Sequence, residues 1–85
     1  VYYNRGKVKV DMKDYSGALQ DYNKSINLDP SYSQTYNSRA FVKYLLKDYN
    51  GAFDDYNKAI ELNPEDSNAI KNRDIIRKIL ENINK

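Results

Sequence analysis

The chain has no cysteine, no histidine and no tryptophan among its 85 residues, and only two prolines and three glycines. Without cysteine there is no disulfide staple and no thiolate nucleophile. That fits a reducing compartment and is compatible with the cytoplasm without selecting it. Without histidine as well, the soft metal ligands and the usual general base are missing. Of the acids, Asp54 and Asp55 are the adjacent pair, but helix neighbours point about 100° apart and make no carboxylate dyad. Asp11, Asp14, Glu65 and Asp66 read as turn and cap acids. No catalytic residue, cofactor ligand or metal ligand is therefore assigned, and enzyme activity is not expected. No apolar run approaches the roughly 18 residues of a membrane span, and no stretch has the pattern of a signal peptide. The net charge of +2 is too small for a broad attraction to nucleic acid or an anionic membrane.

What the chain does have is a copy of itself. Asp48 to Pro64 (DYNGAFDDYNKAIELNP) repeats Asp14 to Pro30 (DYSGALQDYNKSINLDP) at a distance of 34 residues. Aligning residues 1–34 with 35–68 gives identity at 17 of 34 positions. Self-similarity at such a period marks a repeat architecture, in which each unit buries its apolar face only by stacking on the next.

Within each period the apolar residues recur at three and four, the spacing of an amphipathic helix. A first helix over residues 1–13 carries Tyr2, Gly6 and Val10 on one face, with Val8 and Met12 beside it. Asp14 is placed to cap a second, from about Tyr15 to Leu28, which Asp29-Pro30 ends because proline cannot continue the ladder. Ser31 and Gln34 have the spacing of a capping box for a third helix, running to about Leu46. After a turn at Lys47-Asp48, a fourth runs from about Tyr49 to Leu62. Asn63-Pro64-Glu65-Asp66 opens a fifth, with proline expected at its first position. That helix has a polar stripe, with Asp74–Lys78 and Glu81–Lys85 in the favourable acid-first order. Its other side carries Ile75, Ile76, Ile79, Leu80 and Ile83, the two-faced pattern of a solenoid end.

These residues resemble the tetratricopeptide repeat. The family's early large residue corresponds to Tyr2 and Tyr36, and the small residue at the helix contact to Gly6 and Ala40. The aromatic after the turn corresponds to Tyr15 and Tyr49, and the tightly packed alanine to Ala18 and Ala52. The later aromatic corresponds to Tyr22 and Tyr56, and the closing proline to Pro30 and Pro64. The resemblance implies an all-α solenoid of two helix-turn-helix hairpins, residues 1–32 with the first helix truncated at its start and 33–66. A C-terminal capping helix, 67–85, follows. Two departures stand out. Asp74 occupies the place of Gly6 and Ala40, where a charge would keep a further helix away. Arg5, Arg39 and Arg73 replace the usual leucine, while Asp21 and Asp55 recur at the same period. Forward pairing, Asp21–Arg39 and Asp55–Arg73, is expected because pairing inside each hairpin strands Arg73; arginines snorkelling at a wet rim are the alternative.

The resemblance also implies function: many members bind an extended or helical peptide on the concave face lined by the first helix of each unit. That face maps here to Tyr3, Lys7, Val10 and Asp11, then Gln34, Asn37, Phe41, Tyr44 and Leu45, then Asn68, Lys71, Ile75, Lys78 and Ile79. The third helix is apolar nearly all round, which calls for cover on two sides. A protein or peptide partner of unknown identity in the groove is the first expectation. The alternatives are a homodimer, a spacer stacked on further repeats beyond Val1, and the curl of the cap helix over the same face. In the chaperone-tail-binding members the lysine and asparagine of the first helix that grip a terminal carboxylate correspond here to Tyr3 and Lys7, the asparagine of the third to Ser38, and the lysine and arginine of the fifth to Asn68 and Asn72. None matches, so a two-carboxylate clamp is not expected. RNA binding is the weakest reading. The basic excess lies in residues 67–85, five bases against two acids, while 1–66 hold nine against ten, and six of the nine tyrosines are absorbed by repeat packing.

Overall fold

The computed structural model describes residues 1–83. They form five helices, α1 (Tyr2–Asp11), α2 (Tyr15–Leu28), α3 (Ser33–Leu45), α4 (Tyr49–Leu62) and α5 (Ser67–Ile83). Among the described residues there is no strand. The all-α solenoid expected from the 34-residue period is what the chain forms: α1 packs on α2, α3 on α4, and α5 against α4, with α2 and α3 joining the hairpins.

Each hairpin is closed by the same local chemistry. Asp14 and Asp48 cap α2 and α4, each side chain accepting from the amide of Gly17 or Gly51 at 3.0 Å. This satisfies one of the free N–H groups of the first turn. The turns before them place Lys13 and Lys47 in the left-handed region, at φ 63° and 66°. There the Asp14 amide donates back to Lys9 O, and the Asp48 amide to Lys43 O, both at 2.8 Å.

Small residues set how closely the helices approach. Gly6 lies so near the Tyr22 ring that a Cβ there would meet its edge at 2.6 Å. Ala18, Ala40, Ala52, Ala59 and Ala69 are fully buried. One apolar cluster joins Ala18, Tyr22 and Val42 across the two hairpins. The other runs from Tyr36 and Ala40 through Ala52 and Tyr56 to Ala69 and Ile76, and so fastens the cap helix.

Several sequence expectations change. The Ser31–Gln34 capping box does not form: Tyr32 precedes the first turn of α3 without a side-chain cap. Ser31 instead donates through its amide and Oγ to Asp29 Oδ1, at 3.1 and 2.7 Å. Pro64 is not the first residue of α5. The Asn63–Asp66 segment turns instead, with the Asp66 amide donating to Asn63 O, and Asp66 Oδ1 accepts from Ala69 N at 3.1 Å. Asp74 pairs with Arg77 at 2.7 Å and Arg73 at 3.3 Å rather than with Lys78. The Glu81–Lys85 pair lies outside the described residues. On α5 only Ile76 of the expected apolar side is fully buried, with Ile79 and Leu80 packed on the core, while Ile75 and Ile83 are exposed.

The ion pairs run within hairpins, not forward. Arg5 donates from Nε and Nη2 to the two oxygens of Asp21 at 2.9 and 2.8 Å, and Lys9 Nζ approaches it at 3.0 Å. Arg39 and Lys43 hold Asp55 in the same way, at 2.8, 2.7 and 3.0 Å. The reason is geometric: Arg and Lys four apart on a first helix lie one turn apart on one face and bracket the aspartate of the helix packed antiparallel to it. Arg39 does reach back between hairpins, but to Asn23 Oδ1 at 2.9 Å. Arg73 is left as within-hairpin pairing requires, its Nε buried without a hydrogen-bond partner.

Candidate functional site

The first helices of the units, α1, α3 and α5, lie along one side of the solenoid and border a cavity of about 550 Å³. Its lining takes Lys7, Val10 and Asp11 from α1, and Gln34, Asn37, Ser38 and Phe41 from α3. The loop before α5 and its first turns supply Asn63, Glu65, Asp66, Ser67, Asn68 and Asn72. Tyr22 and Tyr56 complete it from the second helices. Both are buried tyrosines whose hydroxyls are made harder to ionise by burial. The Tyr56 phenol is pushed up to about 12, with Tyr44 adding to the effect.

A second cavity of about 150 Å³ shares Phe41, Tyr56 and Asn72 with the first and adds Tyr44, Ile75 and Ile76. The two adjoin at Phe41, whose ring stacks on Tyr44 at 6.5 Å between centroids. Phe41 is 45% exposed and Ile75 48% exposed, so the cap helix does not cover the second apolar side of α3. Repeat position explains the change along the groove: Lys7, Phe41 and Ile75 are equivalents 34 residues apart, charged at one end and apolar toward the other.

Nine of the fourteen groove residues expected from helical spacing line these cavities: Lys7, Val10, Asp11, Gln34, Asn37, Phe41, Tyr44, Asn68 and Ile75. The other five, Tyr3, Leu45, Lys71, Lys78 and Ile79, line neither. Tyr3 is occupied by its neighbours, with Tyr22 at 6.1 Å and Tyr32 edge-on at 5.3 Å.

The loop contribution, Asn63 to Ser67, carries no helical spacing and so gave no signal. Ser38 and Asn72 enter the sequence reading only at clamp positions that they do not match, whereas Asn68 is also expected on the groove. The repeat pattern assigns Tyr22 and Tyr56 to packing. They are packing residues, and their repeat partners Gly6 and Ala40 leave no bulk above them, so the same tyrosines also reach the groove.

Asn37 donates from Nδ2 to Asp66 Oδ2 at 2.7 Å, which leaves its own Oδ1 buried and without a partner. Lys7 is turned toward the Tyr3 ring, its Nζ 5.5 Å from the centroid. Among the described residues, no group of three His, Cys, Asp or Glu side chains is arranged to hold a metal ion.

The sequence profile of the tetratricopeptide repeat matches residues 1–32 and 33–66. A comparison with curated proteins gives no match. Among solved structures, the first TPR of Spaghetti (RPAP3) bound to the HSP90 peptide SRMEEVD superposes with a TM-score of 0.90. It is 26% identical, over 94% of this chain and 64% of that one. The second TPR domain of human RPAP3, in complex with the HSP70 peptide SGPTIEEVD, gives 0.84 at 26% identity, over 89% and 63%. The TPR domain of Arabidopsis OM64 gives 0.87 at 26% identity, over 91% and 64%. This chain spans a little under two thirds of the length of these relatives.

Proposed function

Because the chain belongs to the tetratricopeptide repeat family, we propose that it is a protein-interaction module that holds a peptide segment of a partner along its concave groove. The observation that carries this reading is the pair of cavities that meet at Phe41, the larger mostly polar and the smaller lined by Phe41, Tyr44 and Ile75. The smaller cavity supplies an apolar wall for an anchor and the larger a polar one that can fix orientation, the combination of which ligand sites are made. Two of the similar structures hold peptides, which supports the same use of the fold here.

In this reading Phe41, Tyr44 and Ile75 receive an aliphatic or aromatic side chain, while Ser38 and Asn72 fix the peptide backbone. Peptide-library selection against the chain tests it, counter-screened with the Phe41→Ala/Ile75→Ala variant after circular dichroism shows that variant to be helical. An enriched motif that the variant loses supports the groove; no enrichment removes it.

A structural role is the second reading, and one comparison favours it. Val8 is 55% exposed, whereas its repeat equivalent Val42 is fully buried between the hairpins. The α1 face thus resembles an interface without its second half. Stacking on another repeat unit, or on a second copy, would cover it. Sedimentation of the isolated chain separates the two, because self-association gives a mass that rises with concentration.

A further inference from the structure

We infer that the groove selects a partner segment that carries lysine or arginine beside its apolar anchor, rather than an acidic tail. The inference rests on the proposed use of the groove for peptides and adds the chemistry of the ligand.

Charge on the cavity wall is one-sided. Its ionisable side chains of full charge are Lys7 against Asp11, Glu65 and Asp66, one cation to three carboxylates. Among the described residues, none of the three carboxylates has a cationic partner within salt-bridge distance. Asp66 is hydrogen-bonded, but by the Asn37 amide and the Ala69 N–H, both neutral, so its negative charge is oriented and not cancelled. The one cation, Lys7, already faces the Tyr3 ring.

This polarity is local. The chain as a whole carries +2, and the cationic Lys71 and Lys78 of α5 line neither cavity. A ligand rich in N–H donors and positive charge fits such a wall, and a carboxylate-rich one meets like charge, which costs binding and sets partner choice. The peptide SRMEEVD held by the similar structure has three acidic side chains. It is therefore the wrong sign for this wall.

The test is a titration of the chain, labelled with nitrogen-15, with two peptides: SRMEEVD and its charge-reversed, C-terminally amidated counterpart SRMKKVK. The reversed peptide is expected to bind at least about tenfold more tightly, with shifts at the Asn37, Phe41 and Asn72 amides and an affinity that falls with salt. The Asp11→Asn/Glu65→Gln variant should lose about threefold to tenfold for that peptide. The same charge change made away from the cavity, Asp54→Asn/Glu61→Gln, should leave it unchanged.

Equal or tighter binding of SRMEEVD at the groove amides overturns the charge inference and leaves the groove reading intact. Loss of affinity equal in both variants also overturns it, since that would be bulk electrostatics. If neither peptide moves the groove amides, the inference fails together with the reading it rests on.

Discussion

Arg39 and Asp55 meet through two parallel hydrogen bonds, Nε to Oδ2 at 2.8 Å and Nη2 to Oδ1 at 2.7 Å. The aspartate is 5% exposed, deep between α3 and α4. Lys43 takes a further contact to the same carboxylate at 3.0 Å. Two cations on one carboxylate make the aspartate the member whose loss matters most, because its removal leaves both cations facing a dry wall. Asp55→Asn is expected to cost about 2–3 kcal/mol in urea unfolding, less than a fully buried pair because both cations keep some solvent. Asp54→Asn, one residue away and exposed, should stay within about 0.5 kcal/mol.

The same device in the first hairpin gives a dependence on pH. The hydrogen bonds from Arg5, with help from Lys9, hold the Asp21 carboxyl well below its ordinary value of 3.8. A carboxylate depressed in the folded state gives stability that is present above the unfolded value. That stability is lost as pH falls, because the unfolded chain takes up the proton first. Melting temperature should therefore drop below about pH 4 more steeply in the wild type than in Asp21→Asn, which starts lower and has no such proton to bind. Parallel pH profiles for the two chains would contradict the assignment.

The repeat made most of the fold readable. A 34-residue self-match with Ala18 and Ala52, Tyr22 and Tyr56, and Asp14 and Asp48 in step dictates helices, caps and hairpins together, and these appear where the pattern places them. What failed were choices between neighbours. Asp29 competes with Gln34 for Ser31 and wins at 2.7 Å, a local contest that a capping motif does not encode. The forward ion pairs failed because a period gives the recurrence of Arg39 and Asp55 but not which side of α4 the carboxylate faces. The groove was legible on its helices, at Phe41 and Ile75, and illegible where the chain from Asn63 to Ser67 turns into it. Nothing in the spacing of a turn shows which way its acids point.

Repeat equivalence allows a matched pair of substitutions. Val42 packs fully buried against Ala18 and Tyr22, while Val8 is more than half exposed at the same position of the preceding unit. Val42→Ala should cost about 2 kcal/mol, the transfer term plus the cavity it leaves. Val8→Ala in the isolated chain should be within about 0.5 kcal/mol. A large effect at Val8 that grows with protein concentration would mean that a second copy covers the α1 face, and would favour the structural reading of the chain over the peptide-binding one.

The turns before α2 and α4 hold a further test. Lys13 and Lys47 have positive φ, a conformation in which the Cβ of an L-residue crowds the backbone carbonyl, at a cost of about 1–2 kcal/mol. They persist there because helix termination and the next cap are built at once: the amide after each lysine donates back across the end of the preceding helix, and the aspartate it belongs to caps the following one. Glycine adopts the same backbone freely but gives the unfolded chain more freedom, which returns about 0.4–1 kcal/mol of the gain. Lys47→Gly should therefore stabilise by up to about 1 kcal/mol, since the lysine side chain at this turn is exposed and makes no salt bridge among the described residues. Lys47→Ala separates the two effects, because it keeps the Cβ and should leave stability near wild type. If alanine stabilises as much as glycine, backbone strain is not the cause, and the gain belongs to the removed charge.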